Sequence, residues 1–343
     1  MKAFITGGAG FIGSSLSERL LKDGWDVTMF DNLAAGSKEN IDHIFGNPPS
    51  PDAVNLIIGD CTQPSNLENV IEDCDAVFHF AANPEVRMEL NNPTQCFRQN
   101  IYGTHNVLEA FRESKAEAII FASTSTVYGE AKALPTPEDY SPLDPISVYG
   151  ASKLASEALV SAYCHAFNKS GVILRLANVV GPRSKHGVVG DFMSKLARDP
   201  QELTILGDGT QNKSYIFIED CISAILATMK RSATGVQIFN VGSEDSMSVK
   251  EIGVTVARTM GLTNLQFNFS DGLGDGRGWV GDVKSMLLDV TKLKSTGWTP
   301  RFNSRSAVEE TVKLRLLHLE SQGLWKGLDN HRSSRKVLDS PHK

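Results

Sequence analysis

The sequence has no run near the ~20 consecutive apolar residues that a membrane-spanning helix needs. It also has no basic excess: 34 Lys and Arg face 40 Asp and Glu, for a net charge of −6. The first lack leaves no membrane-spanning helix to expect. The second argues against general nucleic-acid binding, because neutralising phosphates takes clustered cations. Cysteine is sparse: Cys61, Cys74, Cys96, Cys164 and Cys221 are scattered, with no C-x-x-C pair. Neither a disulfide framework nor a metal site is therefore expected. The chain opens on Met-Lys and a strand-like stretch without the pattern of a secretory leader. Reduced thiols and no leader together lead us to expect a cytoplasmic protein.

What is present reads as an α/β protein with a doubly wound parallel sheet. Apolar runs at 3–5, 27–30, 54–58, 76–80, 118–122 and 172–176 predict six strands. Helical patterns are expected from Gly13 to Leu21 and at 65–72, 94–114 and 150–168. After Asn178 the pattern breaks at Gly181-Pro182. Helices at 191–198, 249–260 and 306–322 and a strand at 203–206 follow, with runs at 215–218 and 237–241 expected to return to the sheet. At 343 residues one large or two interlocked domains are expected. We divide them as 1–176, with returning segments about 214–245, and a smaller α/β unit at 177–325. Residues 326–343 are polar and basic and are expected to form a loose tail.

The segment T-G-G-A-G-F-I-G, Thr6–Gly13, lies between a strand and a helix. Gly7 permits a tight turn, Gly10 lets the backbone approach a pyrophosphate, and Gly13 lets helix and strand pack closely. The helix start adds N–H groups and a positive dipole end. Asp31 closes the next strand eighteen residues beyond Gly13. A carboxylate there accepts both adenosine ribose hydroxyls and repels a 2′-phosphate, which favours NAD over NADP. Asp60, after the third strand, is placed to accept from the adenine amino group.

Tyr149 and Lys153 stand four residues apart on one predicted helix and share a face. At ~4 Å and an effective dielectric of ~20, ammonium and phenolate attract by about 4 kcal/mol before desolvation. That lowers the phenol's pKa by roughly two to three and makes it a base near neutrality. Ser123, Thr124, Ser125 and Thr126 follow the fifth strand, where a hydroxyl can share a substrate proton with Tyr149. Thr124 is our choice.

These motifs, with H-F-A-A at 79–82, S-T-S-T-V-Y-G at 123–129 and R-L-A-N-V-V-G-P at 175–182, resemble the extended short-chain dehydrogenase/reductase family. Within it the chain most resembles UDP-glucose (UDP-galactose) 4-epimerases that carry R-G-W-x-G-D, here Arg277–Asp282. The resemblance implies bound NAD, a UDP-sugar substrate and a homodimer built on helices near 94–114 and 150–168. It carries the coenzyme shell onto Gly7, Gly10, Phe11, Ile12, Asp31, Asn32, Gly36, Asp60, Cys61, Phe80, Ala81, Ala82, Asn100, Ser123, Tyr149, Lys153 and Leu176. Catalysis falls to Thr124, Tyr149 and Lys153. Substrate contacts, beyond Thr124 and Tyr149, fall to Asn178, Val188, Thr204, Leu206, Lys213, Arg277 and Asp282, with Met286 bordering the sugar pocket.

Family dehydratases place an Asp-Glu pair after the catalytic threonine, and decarboxylases a Glu at the second position. Here Ser125 and Thr126 stand there, which leaves no carboxylate for acid–base work at C5 and C6. The expected reaction is thus 4-epimerisation of UDP-galactose to UDP-glucose through a transient 4-keto sugar. Alternatives are a UDP-glucuronate or UDP-N-acetylhexosamine 4-epimerase, then a dehydratase or decarboxylase, and last a non-catalytic NAD-binding protein. Lys213 stands where many members have Arg, and Trp279 where better-known epimerases carry a phosphate arginine.

Overall fold

The computed structural model describes residues 1–46, 48–84, 92–184, 187–229, 235–270 and 273–325. The expected tail at 326–343 lies outside them. In chain order the strands are β1 (Lys2–Thr6), β2 (Asp26–Asp31), β3 (Val54–Ile58), β4 (Ala76–His79), β5 (Ala118–Thr124), β6 (Ser170–Leu176), β7 (Asn178–Val180), β8 (Glu202–Ile205), β9 (Asn212–Lys213), β10 (Tyr215–Phe217), β11 (Gly235–Val241), β12 (Met247–Ser248), β13 (Gln266–Phe269) and β14 (Ser285–Met286). The helices are α1 (Phe11–Lys22), α2 (Asp42–Gly46), α3 (Pro93–Cys96), α4 (Gly103–Glu113), α5 (Val148–Ala166), α6 (Val188–Arg198), α7 (Ile218–Met229), α8 (Val249–Thr259), α9 (Thr291–Lys294) and α10 (Ser304–Ser321).

Seven strands form one sheet in the order β11-β6-β5-β4-β1-β2-β3, every pairing parallel. Its central strands are apolar throughout because both faces are covered. Successive residues alternate between the faces. Phe4, Val77, Ile119 and Phe121 pack with Val107, Phe111 and Val160 of α4 and α5. Ala3, Ile5, Met29, Phe78 and Ile120 pack with Leu16 and Leu20 of α1 and with α7. The chain runs outward from β1 to β3 and returns beside β1 as β4, so strand order reverses there. A crevice opens at such a switch point beyond the carboxyl ends of the strands.

Three expectations are corrected. Residues 65–72 form a 3-10 turn, Pro64–Asn66, followed by turns, because Asn69 takes a φ of +62°, which a right-handed helix forbids. Residues 215–218 do not return to the main sheet: β10 pairs with β7 in a separate parallel pair, and only the 237–241 run rejoins, as β11 on β6. The helix expected at 94–114 is interrupted by a π turn over Phe97–Tyr102. There the Asn100 carbonyl accepts the hydroxyls of Thr104 at 2.5 Å and Ser156 at 3.0 Å. Side chains inserted into the ladder in this way are a recognised cause of such bulges.

The remaining small sheets, β8 with β13 and β9 with β12 and β14, pack with α6 and α8, on which α10 lies. Among the described residues no helix is long and apolar enough to cross a membrane.

Candidate active site

The glycine turn is held by Gly7 N–H on the Phe30 carbonyl at 2.8 Å and Gly10 N–H on the Gly7 carbonyl at 3.0 Å. Gly7 has a φ of +70°, and a methyl there would meet the Ala81 nitrogen at 2.8 Å. A methyl on Gly13 would lie 2.1 Å from the Gly7 carbonyl oxygen. Only hydrogen fits, so α1 starts flush against the sheet with its free N–H groups turned to the crevice. This cradle fits a dinucleotide pyrophosphate. Asp31, at the end of β2, is buried and accepts from Leu33 N at 2.8 Å and Ala9 N at 2.9 Å. Burial raises its pKa, and N–H donors from Leu33, Ala9 and Gly10 oppose the rise. Gly36 keeps the carboxylate open, since a methyl there would touch its oxygen at 2.8 Å. Asn32 donates to Asp60 at 3.0 Å. Burial works against ionising Asp60, but bonds from Thr62 and Asn32 outweigh it and hold the pKa low. Cys61, also buried, receives Asn106 on its carbonyl at 2.9 Å, and burial pushes its thiol up to about 12.

Phe80 and Ala81 donate their N–H groups to the Thr6 hydroxyl, each at 3.2 Å, and Ala82 follows them. Thr6 is itself bonded to His79 Nδ1 at 2.7 Å, and His79 Nε2 to Thr104 at 2.9 Å. Asn100, inside the π turn, accepts from Asn83 N at 2.7 Å and donates to Ser152 at 2.9 Å. Ser152 in turn bonds the Tyr149 carbonyl at 2.7 Å. A buried polar chain thus ties the end of β4 to the first turn of α5.

Ser147 caps α5 by accepting from Gly150 N at 3.0 Å, which sets Tyr149 in the first turn and Lys153 in the second. The Tyr149 hydroxyl is hydrogen-bonded to Thr124. The Thr124 oxygen already accepts from the Thr126 N–H at 3.2 Å and the Thr126 hydroxyl at 3.1 Å. Burial pushes Tyr149 up to about 12, opposed by the Thr124 bond. Burial pushes Lys153 down to about 7, opposed by Glu157, and its Nζ lies 4.3 Å from the Phe121 ring centre. The expected depression of the phenol is therefore not met in the protein alone. Desolvation dominates both groups here and outweighs what a charge pair would gain.

A cavity of about 460 Å³ opens on Thr124 and Tyr149, with buried Lys153 behind its wall. Its walls carry Phe11, Ile12, Ser123, Thr124, Tyr149, Leu176, Asn178, Val188, Leu206, Lys213, Asp282 and Met286. Lys213 is ion-paired with buried Asp282 and lies 5.6 Å from the Trp279 ring. Two expected residues are not brought here. Thr204 is exposed on β8, its carbonyl held by Lys195 at 3.0 Å. Arg277 pairs with Glu130 at 2.7 Å and with Asp275, while Trp279 takes a place in the wall. A larger cleft of about 650 Å³ beside α1 is lined by ion-paired groups such as Arg183 and Glu18, and does not reach Tyr149.

The model of the NAD dependent epimerase/dehydratase family matches residues 3–242. The chain belongs to that family. NAD is accordingly its coenzyme, and the seven-stranded sheet is the family's scaffold. It is 32% identical over 315 residues to a putative UDP-glucose 4-epimerase of Methanocaldococcus jannaschii, covering 90% of this chain and 96% of that one. It is also 32% identical over 327 residues to a UDP-N-acetyl-alpha-D-glucosaminuronate decarboxylase of Bacillus cytotoxicus, covering 91% and 97%. A crystal structure of a UDP-galactose 4-epimerase superposes with a TM-score of 0.81 at 39% identity, over 95% of this chain and 100% of that one. Epimerases and a decarboxylase of nucleotide sugars thus share this scaffold.

Two charged residues of the site stand outside the motifs quoted above. Glu157 completes a tyrosine–lysine–glutamate series at four-residue spacing, and that spacing was a usable signal. Buried Glu157 pairs with buried Arg175 at 2.8 Å and accepts from Ser123. Arg315 of α10 lines the cavity, and no local pattern marked it.

Proposed function

We propose that this protein interconverts UDP-galactose and UDP-glucose at C4. The carrying observation is the Thr126–Thr124–Tyr149 hydroxyl series facing a cavity that offers Ser125 and Thr126, not carboxylates, beside the reacting position. Residues 1–176 with β11 are assigned to the coenzyme, and the segments from 177 to 325 to the nucleotide sugar. Gly7, Gly10, Phe11 and Ile12 would hold the pyrophosphate of NAD, Asp31 its adenosine ribose, and Lys153 its nicotinamide ribose. Bound there, NAD supplies a reversible hydride acceptor.

Tyr149 takes the proton from the sugar's 4-hydroxyl, and Thr124 shares it. Lys153 as ammonium favours the phenolate, and burial keeps water from competing for the proton. After C4 has given up its hydride, the 4-keto sugar turns within the cavity and offers its other face. With the hydride returned to that face of C4, Tyr149 gives the proton back to the 4-oxygen. Asn178 is assigned to the diphosphate, with Lys213 and Asp282 on the ribose and phosphate side and Val188 and Leu206 on the uracil. The Arg277 ion pairs argue against a phosphate role for that residue. A dehydratase or decarboxylase needs a carboxylate at 125 or 126 and finds none.

Phe97, Tyr102 and Phe167 are exposed along the π turn and the end of α5, which supports a homodimer through these helices; light scattering after gel filtration tests it. The activity is tested by incubation with UDP-galactose, UDP-N-acetylglucosamine and UDP-glucuronate in turn, followed by chromatography. UDP-glucose as the main product supports the reading. Efficient turnover of UDP-glucuronate alone replaces it.

A further inference from the structure

Among the described residues Arg315 is a cation without a counterion. It projects from α10, which packs against α6, α8 and β10, and it lines the same cavity as Tyr149 and Asn178. Its Nη1 donates to the Ser184 carbonyl at 2.8 Å. No carboxylate of the described residues lies within ion-pair distance of it. Asp191, in the same wall, is already taken by Lys195 at 2.8 Å, and Glu18 beyond the Gly181–Ser184 turn by Arg183 at 2.7 Å. Burial lowers the Arg315 pKa, and no neighbouring charge offsets this. The guanidinium lies against the first turn of α6, where a methyl on Gly190 would meet Nη1 at 2.8 Å. That helix begins at Gly187 with no side-chain cap, leaving its first N–H groups to a ligand. A partly buried, uncompensated cation is costly in a folded protein unless an anion completes it.

We propose that Arg315 receives the diphosphate of the nucleotide sugar, acting with the N–H groups at the start of α6. This rests on the nucleotide-sugar reading above and adds to it a residue from the last helix. A planar guanidinium gripping two phosphate oxygens suits this position better than a point charge. Arg315 is thus a binding residue for the diphosphate and takes no part in the proton relay.

The test is calorimetric titration of the NAD-loaded protein with UDP and with uridine, for wild type, Arg315→Leu and Arg315→Lys. Arg315→Leu is expected to weaken UDP roughly 10- to 100-fold, leave uridine within twofold, and unfold no earlier than wild type without nucleotide. Arg315→Lys should fall between. Unchanged UDP affinity in Arg315→Leu overturns the proposal, as does an equal loss for uridine, which would mark a packing role. Loss confined to UDP-glucuronate, with UDP untouched, also overturns it in favour of a carboxylate site. dTDP is titrated alongside: wild type binding dTDP but not UDP removes the uridine reading and moves the same comparison to dTDP and thymidine. Wild type binding neither removes both.

Discussion

Replacing Glu157 by Gln separates the two tasks this residue performs. Glu157 and Arg175 are 5% and 3% exposed at their side chains and pair at 2.8 Å. Arg175 also donates to the Tyr128 hydroxyl and the Glu138 carbonyl, both at 3.0 Å. Removing the carboxylate leaves a buried guanidinium short of charge, a change that costs about 3–5 kcal/mol. With ~2.1 cal/mol/K per residue over 343 residues, that lowers the melting temperature by about 4–7 °C. The second task is electrostatic. Burial holds Lys153 near 7 against an ordinary 10.5, and Glu157 is the neighbour that opposes this fall. Without it the lysine loses its proton at still lower pH. Activity that needs the ammonium falls as pH rises through that pKa, so the alkaline limb of kcat/KM moves to lower pH in Glu157→Gln. Adding Arg175→Met removes the stranded cation and recovers melting temperature, while the limb stays displaced. Scanning calorimetry and a pH–rate profile read both. Superimposable profiles and unchanged melting would refute the assignment.

Tyr149→Phe should lower turnover roughly 10²–10⁴-fold or more, the range for a lost general base, while retained NAD and melting temperature stay as in wild type; Thr124→Ala should be milder by tenfold or more. Asp31→Ser should raise the NADP share of bound coenzyme roughly tenfold, read by chromatography of released nucleotide, because the carboxylate that repels a 2′-phosphate is gone. His79 gives an acid limit. Burial lowers its pKa from 6.5 to about 3, with Lys153 adding to the fall. The unfolded chain therefore binds a proton that the folded one refuses, so its contribution is intact above pH 6.5 and lost as pH falls. By pH 5 the loss is about 2 kcal/mol; urea unfolding of wild type and His79→Gln at pH 7 and 5 measures it.

Much of the sheet was legible because burial on both faces writes apolar runs that propensity alone can read. The glycine turn and Asp31 were legible for a stricter reason: hydrogen alone fits at Gly7 and Gly13. Tyr149 and Lys153 needed only helical spacing. What escaped depended on contacts distant in sequence. The π turn arises from Thr104 and Ser156 reaching Asn100. Strand β10 paired with β7 and not with the main sheet. Arg277 was drawn away by Glu130, 147 positions earlier, and Arg315 reached the cavity from the last helix. The pKa values of Tyr149 and Lys153 depend on how deeply they are buried, which spacing does not disclose.

UDP-galactose carrying deuterium at C4 shows whether the hydride leaves and returns within the site. Incubated with the NAD-loaded protein in ordinary water, it should become UDP-glucose with the deuterium retained at C4 and no net NADH in solution. UDP-glucose that has lost the label to solvent, or a stoichiometric release of NADH without UDP-glucose, would contradict the account.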